Sequence, residues 1–279
     1  MTWFCYNGKM YKENETVLHA SSRGVRFGDG LFETMKLKQG KLILSNEHFA
    51  RLWKGLHILQ FEIPKHFTPE NITETILKLA KKNGHENAAR VRLTIIRGPG
   101  GLYDPISQLP EYIIETWPLP AANESLNSNG LVLGIYEEVK KSCDILSNLK
   151  HNNFLPYAMA AGFAKKEKWN DAIVLNTYGH VCETTIANLF LVKNDTVYTP
   201  ALSEGCIAGI MRSQLVDELK TAGISCIQKE ISTQELLTAD EVFLTNSIYN
   251  LRWVQRIGEK EYQHAFTQKI FTMLLPTIS

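Results

Sequence analysis

Cysteine and histidine are sparse in this chain, and neither falls in a pattern that binds metal or forms disulfides. The five cysteines are scattered over 279 residues without a C-x-x-C pair, and the eight histidines show no ligand spacing. We therefore expect reduced thiols, a cytoplasmic protein and no metal site. No apolar stretch approaches the roughly 20 residues of a membrane span, and the first residues show no signal-peptide pattern. Neither a membrane partner nor secretion is expected.

Net charge is also nearly absent. The 30 basic and 29 acidic residues leave a formal charge of +1, which gives no electrostatic footprint for nucleic acid. A G-x-G-x-x-G motif between a strand and a helix is missing as well, which disfavours a dinucleotide-binding dehydrogenase. What is present is the composition of a soluble globular protein, 44% hydrophobic and 21% charged. The length suits one large or two ordinary domains.

The sequence predicts a mixed architecture of helices and strands in two domains. The stretch Pro118–Ser125 is rich in proline and then polar, which is typical of a linker. We therefore place a small domain at 1–118, a linker at 119–127 and a larger domain at 128–279. Apolar periodicity predicts helices and strands in both domains. One predicted helix has Ser45 as its N-cap, and a second opens at Thr68-Pro69 and closes at Asn83-Gly84. Three more are predicted from about Leu155 to Lys168, Ile210 to Thr221 and Phe266 to Leu275. The predicted strands are the second half of 23–37, which a turn at Gly40 connects to 41–44, and then 89–96, 112–117, 131–136, 171–175, 181–192, 197–199 and 239–244. A hairpin turn is predicted at Asn7-Gly8.

Lys150 lies just before one of these helices, and it has two interpretations. The simpler one is a solvated charge near a helix start. The other is a lysine in a pocket that lowers its pKa, so that its neutral amine attacks a carbonyl and forms a Schiff base. The second interpretation requires an acid to hold a pyridinium nitrogen and a site for a phosphate.

The chain after Lys150 offers both companions. Glu183 follows a tight turn on a predicted strand and could keep a pyridine nitrogen protonated. The loop Ala208–Met211 opens a helix, whose amides and dipole favour an anion. Thr245-Asn246-Ser247 ends a strand with hydroxyl and amide groups, and Arg51 could add charge from the first domain. Each feature alone also fits an ordinary turn, strand or surface residue.

These residues occur in an order that resembles a known family, the class IV (fold type IV) pyridoxal-phosphate enzymes. The family includes branched-chain and D-amino-acid aminotransferases and aminodeoxychorismate lyases. The resemblance covers nearly the whole chain. It is carried by Phe27-Gly28-Asp29-Gly30-x-Phe32-Glu33, His48-x-x-Arg51-Leu52, Lys150-x-x-Asn153, Glu183-x-x-x-x-Asn188-Leu189-Phe190, Gly209-Ile210 and Thr245-Asn246-Ser247.

The resemblance implies an α+β fold with a small α/β N-terminal domain and a larger barrel-like α/β C-terminal domain. It implies a homodimer that binds pyridoxal 5'-phosphate and a small amino-acid or amino-carboxylate substrate. Lys150 would be the Schiff-base lysine and acid–base catalyst, and Glu183 would pair with the pyridine nitrogen. By the same resemblance Arg51, the Ile210 and Met211 amides and Ser247 would bind the phosphate, and Gly209 is a further cofactor-binding residue.

Departures from the family pattern separate its branches. Leu155 stands where the branched-chain branch usually has a tyrosine. Leu102 stands where the D-amino-acid branch, and also some lyases, have an arginine. Phe32 likewise replaces a tyrosine of the D-amino-acid branch. Thr34 matches a catalytic threonine of the lyase branch, and the sequence Gly209-Ile210-Met211-Arg212 resembles that branch too. The substrate carboxylate has three candidate ligands, Arg26, Arg92 and Arg97, each of which could also be a structural ion-pair residue.

Three functions follow as hypotheses. The first is a class IV aminotransferase acting on a small amino acid through Lys150. The alternative is an aminodeoxychorismate lyase that eliminates pyruvate in p-aminobenzoate synthesis, with Thr34 near the leaving group. A remote alternative is a non-catalytic binding protein on the same fold, which the presence of both Lys150 and Glu183 disfavours.

Overall fold

The computed structural model describes residues 2–120 and 125–274. Within these ranges the chain forms two units. The first contains 2–120 and Lys150–Asn153, and the second contains 125–149 and 154–274. The sequence-based boundaries assigned Lys150–Asn153 to the larger domain, whereas the contacts of these residues place them in the first unit. Residues 121–124 of the predicted linker and the predicted helix end at Leu275 lie outside the described residues.

The first unit contains an antiparallel sheet and three helices. Its strands are β1 (Trp3–Tyr6), β2 (Lys9–Lys12), β3 (Gly30–Lys38), β4 (Lys41–Leu42), β5 (Ala88–Arg97) and β6 (Pro110–Pro118). They form six strands in the order β2-β1-β6-β5-β3-β4. The helices are α1 (Arg23–Phe27), α2 (Ser45–Ile58) and α3 (Pro69–Asn83). Asn7-Gly8 makes the predicted hairpin turn between β1 and β2, with φ of 47° and 82°.

The two faces of this sheet differ because side chains alternate along each strand. Leu31 and Leu37 of β3 are buried on the face that meets α2. Gly55 of α2 lies against Leu31, and a Cβ there would come within 2.7 Å of the Leu31 Cδ1 atom. The opposite face of β3 carries Phe32 and Thr34. That face also carries Arg92 of β5, the register partner of Thr34.

The helix ends of the first unit follow the sequence signals in one case and depart from them in another. Thr68 caps α3 by accepting a hydrogen bond from the Asn71 amide, and Gly84 ends it in the left-handed conformation, as predicted. Ser45 is predicted as the N-cap of α2 but is its first helical residue. Leu44 occupies the cap position with φ of 51°, so the serine hydroxyl makes no cap. An acidic residue in the first turn, Glu47, complements the helix dipole instead.

The second unit contains a mixed sheet of nine strands. They are β7 (Leu131–Lys141), β8 (Asp171–Asn176), β9 (Val181–Thr184), β10 (Asn188–Lys193), β11 (Thr196–Pro200), β12 (Cys226–Lys229), β13 (Glu241–Asn246), β14 (Asn250–Ile257) and β15 (Lys260–Glu261). Their order is β12-β11-β10-β13-β14-β7-β8-β9, and β15 pairs with β14. The helices are α4 (Leu155–Lys166), α5 (Ile210–Thr221), α6 (Thr233–Thr238) and α7 (Ala265–Leu274), with a 3-10 turn at Leu202–Glu204.

Strand β8 is buried on both faces, which explains its continuous apolar sequence. Ile173 points into a large core cluster with residues of β10 and β13, whereas Val174 joins a second cluster with Tyr157 of α4. Glu183 is the register partner of Val174 on the neighbouring strand β9. The pairing therefore places a carboxylate among the side chains of the second cluster.

The sequence missed several short elements of this unit. It predicted one strand over 181–192, but β9 and β10 are separated where the Thr185 hydroxyl and amide bond the Asp171 carboxylate. Helix α6 was also missed, although Ser232 and Glu235 form a capping box at its start. Strand β12 and the eight-residue strand β14 were not predicted either. The strand conformation of such segments depends on tertiary pairing more than on local periodicity.

Candidate active site

Lys150 is held by its backbone against the beginning of β3. Its carbonyl accepts a hydrogen bond of 2.8 Å from the Phe32 amide. The next residue, His151, forms an isolated β-bridge with Leu31. The Lys150 Nζ atom lies 4.6 Å from the centre of the Phe32 ring. The backbone thus positions this lysine independently of its amine.

Two glycines of the F-G-D-G motif allow the segment Lys150–Asn153 to pack closely against the rest of the first unit. A Cβ on Gly28 would lie 2.3 Å from the Asn153 Oδ1 atom, and a Cβ on Gly30 would lie 2.0 Å from the Ile95 carbonyl oxygen. Asn152 donates its amide to the Gly30 carbonyl at 3.0 Å and its side-chain Nδ2 to the Ile95 carbonyl at 2.9 Å. The F-G-D-G and Lys-x-x-Asn motifs, distant in sequence, therefore form one structural feature.

A group of polar residues surrounds the same Phe32 ring. The Arg92 Cζ atom lies 3.8 Å from the ring centre, and its Nε donates to the Thr94 hydroxyl at 3.1 Å. Thr34 is directly opposite Arg92 in the β3–β5 register. The structure therefore brings Lys150, Thr34 and Arg92 to one side of the sheet.

Arg92 is the substrate-carboxylate candidate that the structure leaves best suited to an anion. Burial lowers the pKa of its guanidinium, against the attraction of Glu115 on β6. Among the described residues no carboxylate forms an ion pair with Arg92 within 4.0 Å. A partly desolvated guanidinium gains most from a bidentate carboxylate.

The other two arginine candidates are occupied by structural contacts. Arg97 is 5% exposed and donates from Nε to Asp29 at 3.0 Å and from Nη2 to the Leu59 carbonyl at 2.5 Å. Arg26 is exposed and donates to the Ala20 carbonyl. We therefore keep neither as a carboxylate ligand.

Arg51 extends from α2 to the apolar side of the sheet, where it forms a two-pronged ion pair with Glu33. Its Nε lies 2.8 Å from Oε1 and its Nη2 2.5 Å from Oε2. His48 adds a contact of 2.7 Å to the same carboxylate. Burial opposes ionisation of Glu33, but Arg51 and His48 outweigh it and hold its pKa at about 2. This network fixes the Arg51 guanidinium; its phosphate-binding role stays a prediction.

Glu183 is the centre of a buried hydrogen-bond network in the second unit. Its Oε1 atom accepts hydrogen bonds from Lys141 Nζ at 2.5 Å and from Tyr157 Oη at 2.6 Å. The Ile207 amide lies 3.1 Å from both carboxylate oxygens, and Asn188 Nδ2 is 3.3 Å from Oε2. The strand glutamate is therefore not the solvent-exposed residue of the simpler interpretation.

Two members of this network were not identified from the sequence. Lys141 is the last residue of β7 and follows Lys140 in the sequence. The two lysines differ only in burial: Lys141 is 6% exposed, whereas Lys140 is exposed to solvent. Tyr157 lies in the first turns of α4 and is 4% exposed. Burial, followed by the nearby Glu183 charge, raises the pKa of Tyr157 well above its usual value, so the phenol stays a donor. Sequence spacing carried no signal for either residue.

The start of α5 has the features of an anion site. Gly209 occupies the N-cap position, and no side chain caps the first amides, those of Ile210 and Met211. A Cβ on Gly209 would lie 1.9 Å from the Asn188 Oδ1 atom, so a larger residue there would displace the Asn188 side chain. Asn188 is in turn the register partner of Thr245 at the end of β13.

The residues present fit pyridoxal 5'-phosphate. The Thr245 Oγ1 atom is buried without a hydrogen-bond partner in the described part of the chain, as expected of a group that binds a polar ligand. Ile207, Ala208 and Gly209 connect the Glu183 carboxylate directly to the α5 start. The acid that suits a ring nitrogen and the helix N-terminus that suits a phosphate are therefore joined by three residues. Ser247 lies half-buried after β13, in a turn in which Asn246 Oδ1 accepts amide hydrogen bonds.

The predicted site residues thus fall into two groups. Thr34, Arg51 and Lys150 belong to the first unit. The second unit holds Glu183, Gly209, Ile210, Met211 and Ser247. Their individual roles toward the cofactor stay predictions.

A further polar cluster contains one histidine and two glutamates. The side chains of His180, Glu204 and Glu230 approach one another closely enough for a metal. However, Glu204 already accepts hydrogen bonds from His180 and Asn176, and the Glu230 side chain is 71% exposed. This cluster does not support a metal role.

None of the helices in the described ranges is long and apolar enough to cross a membrane.

The chain is similar over most of its length to proteins with two kinds of activity. It is 31% identical to the aminodeoxychorismate lyase of Vibrio harveyi, over 88% of this chain and 90% of that protein. It is 28% identical to the putative branched-chain-amino-acid aminotransferase of Methanocaldococcus jannaschii, over 86% of this chain and 83% of that protein.

A solved structure shows the same fold. The branched-chain aminotransferase of the thermophilic archaeon Thermoproteus uzoniensis, crystallised with norvaline, superposes with a TM-score of 0.86 at 22% identity, covering 99% of this chain and 95% of that one. The predicted α+β architecture of fold type IV is confirmed, with a small antiparallel sheet and a larger mixed sheet. Residues 30–257 match the family described as amino-transferase class IV. The chain therefore belongs to the class IV aminotransferases, a family of pyridoxal-phosphate-dependent enzymes.

Proposed function

We propose that Lys150 is the covalent anchor of pyridoxal 5'-phosphate in this enzyme, that Glu183 binds its pyridine nitrogen and that the start of α5 binds its phosphate. The observation that carries this assignment is the short run from Ile207 to Gly209. Its first amide bonds the Glu183 carboxylate, and its last residue begins α5. An acid and an anion site joined in this way match a ligand with a basic ring nitrogen and a phosphate.

Each residue then has a definite task. When bound, the cofactor supplies an electron sink for the charge left by loss of the substrate's α-proton. The Lys150 amine removes that proton and returns it elsewhere. Glu183 retains the proton on the ring nitrogen. Ile210, Met211 and Ser247 bind the phosphate together with Arg51.

Of the two reactions in the family, we propose elimination of pyruvate from aminodeoxychorismate. This substrate carries two carboxylates, and Arg92 offers a half-buried guanidinium for one of them. Thr34 is the register partner of Arg92, on the face where Lys150 Nζ contacts Phe32. The 31% identity to a Vibrio harveyi protein with this name supports the same choice.

The proposed reaction balances without an added oxidant or reductant. The carbon bearing the amine loses its proton to Lys150, and the bond between the ring carbon and the enolpyruvyl oxygen breaks. The departing enolpyruvate takes up a proton at its methylene carbon and leaves as pyruvate. The ring becomes aromatic, which gives p-aminobenzoate. Thr34 would position or protonate the leaving group.

An aminotransferase acting on a small amino acid is the second candidate, and it is the one the sequence ranked first. The similarity to a putative branched-chain aminotransferase favours it. Leu155 counts against a branched-chain aminotransferase, since that branch usually has a tyrosine at this position. Leu102 does not separate the two candidates, because an arginine occurs at this position in some lyases as well as in the D-amino-acid branch. Both candidates begin with the same proton transfer at Lys150, so their products must separate them.

Product analysis of the purified enzyme tests the proposal. Aminodeoxychorismate, made in the assay from chorismate and glutamine by a partner synthase, should yield pyruvate and p-aminobenzoate. A panel of D- and L-amino acids with keto acids should yield little exchange. Amino transfer without pyruvate would establish the aminotransferase instead. Bound cofactor with neither product would refute both candidates.

Thr34 provides the matched variants. Thr34→Val removes the hydroxyl with little change of shape, so it should reduce pyruvate release strongly while the protein stays folded. Thr34→Ser retains the hydroxyl and should keep most of the activity. Equal pyruvate release by the valine variant and the wild type would exclude Thr34 from the reaction.

The homodimer and the cytoplasmic location stay predictions. Light scattering of the purified protein would check the homodimer.

A further inference from the structure

Lys141 is a buried charge that the proposed function does not use. Its side chain is 7% exposed, and its Nζ atom bonds the Glu183 Oε1 atom. It ends β7 at a register irregularity, where it pairs with Asn176 instead of continuing the regular β7–β8 ladder. The irregular end of β7 thus places the Lys141 ammonium against the Glu183 carboxylate, the group that faces the proposed cofactor site.

Burial makes this pair energetically important. A carboxylate that is 3% exposed, as Glu183 is, loses its hydration and is unfavourable unless a cation or several donors compensate it. Tyr157 and the Ile207 amide donate to the same oxygen but carry no charge. Lys141 is therefore the cation that balances Glu183 when no cofactor is present.

We propose that Lys141 is the resident counter-ion of Glu183, which neutralises the buried carboxylate before the cofactor binds and shares it with the protonated ring nitrogen afterwards. This inference rests on the role proposed above for Glu183. It makes Lys141 a positioning and charge-balancing residue, since it acts on the cofactor only through the carboxylate.

The proposal predicts an asymmetry between the cofactor-free and loaded proteins. In Lys141→Met the cofactor-free protein holds a buried carboxylate without its cation, whereas the loaded protein still has the protonated ring nitrogen. Cofactor binding should therefore stabilise this variant more than it stabilises the wild type. A merely structural ion pair would be lost equally in both forms and would leave the stabilisation by cofactor unchanged.

Thermal unfolding with and without pyridoxal 5'-phosphate measures this difference. The cofactor-induced rise in Tm should be larger in Lys141→Met than in the wild type by about 4 °C or more. Lys141→Arg, which restores the charge, should return the rise to the wild-type value. An analogue whose ring nitrogen is replaced by C–H should give no excess in Lys141→Met. Equal rises in Lys141→Met and the wild type would overturn the proposal.

Two further comparisons keep the result decisive. If Lys141→Met does not fold, Lys141→Gln, which keeps a hydrogen-bond donor but removes the charge, should show an excess in the same direction; no excess would again overturn the proposal. In the wild type, equal stabilisation by cofactor and the C–H analogue would refute the Glu183 role itself. No stabilisation by either would refute the proposed cofactor function, so the failures are distinguishable.

Discussion

At the scale of single residues, the backbone of Lys150 has a structural role, whereas the chemical role proposed for this residue belongs to its side-chain amine. The segment is attached through the Lys150 carbonyl, which accepts the Phe32 amide, and through Asn152. Lys150→Ala should therefore keep the fold and its Tm close to the wild-type value. The variant should lose turnover by orders of magnitude, because no amine is left to hold the cofactor or move the proton.

Borohydride reduction followed by peptide mapping measures this prediction. The wild type should carry a pyridoxyl label on Lys150, and Lys150→Ala should carry none. Lys141 serves as the internal control, because it is a second lysine of the proposed site and is bonded to Glu183. A label on Lys141 or any other lysine would show that the anchor is wrongly assigned.

Glu33 provides a residue-scale test of stability. Glu33→Gln removes the carboxylate that Arg51 and His48 share, and breaking such a buried pair costs about 3–5 kcal/mol of unfolding free energy. Urea denaturation at neutral pH measures this loss. Glu74→Gln is the matched control: its ion pair with Lys78 joins side chains 64% and 65% exposed. The control should change the unfolding free energy by no more than about 0.5 kcal/mol.

The pH dependence of Glu33 has a definite sign. A carboxyl whose folded pKa is depressed contributes stability above its unfolded pKa, and this stability is lost as the pH falls through the folded value. For Glu33 the window runs from about 4.3 in the unfolded chain down to about 2 in the folded protein. Its contribution is about 3 kcal/mol. Glu33→Gln should lack this part of the acid-induced loss; an unchanged acid profile would contradict the ion-pair network.

At the scale of elements, the start of α5 depends on the absence of a side chain. Gly209→Ala would place a Cβ 1.9 Å from the Asn188 Oδ1 atom, so Asn188 must move away. Because Asn188 bonds both the Ile207 carbonyl and Glu183, we expect the joined acid and phosphate sites to be displaced together. Pyridoxal 5'-phosphate affinity, measured by fluorescence titration, should fall by about tenfold or more, the loss of at least one charge-assisted hydrogen bond.

The control for Gly209→Ala is a glycine inside a different helix. Gly162 of α4 is exposed, and a Cβ there would meet no heavy atom within 4 Å. Gly162→Ala should therefore raise the unfolding free energy by about 1 kcal/mol through helix propensity, with unchanged cofactor affinity. If both alanine variants bind the cofactor like the wild type, the α5 start is not its phosphate site.

At the scale of the whole molecule, cofactor binding should appear as stability. A ligand that binds only the folded protein adds about 2.7 kcal/mol at one hundred times its Kd, which corresponds to a rise in Tm of about 5–10 °C. Calorimetry of the cofactor-free protein titrated with pyridoxal 5'-phosphate measures it. Pyridoxal without the phosphate should stabilise less at equal concentration, because it leaves the α5 start unfilled. Equal rises in Tm with pyridoxal and with pyridoxal 5'-phosphate would show that the phosphate does not contribute to binding.

The sequence by itself determined the architecture and the identity of the main candidates. Periodicity located α3 and α5 closely, because Thr68, Gly84 and Gly209 carry local signals that do not depend on the rest of the chain. The resemblance carried Lys150 and Glu183 as candidates, since their motifs keep their order along the chain. Local chemistry and order are properties of a sequence.

Tertiary structure alone decided what each candidate touches. Lys141 and Tyr157 converge on Glu183 from β7 and α4, and no spacing relates these elements. Arg92 and Arg97 look equivalent in the sequence, yet only Arg97 is bonded to Asp29. Burial, register and contacts between distant segments set the charge balance of a side chain, and they arise only when the strands and helices pack together.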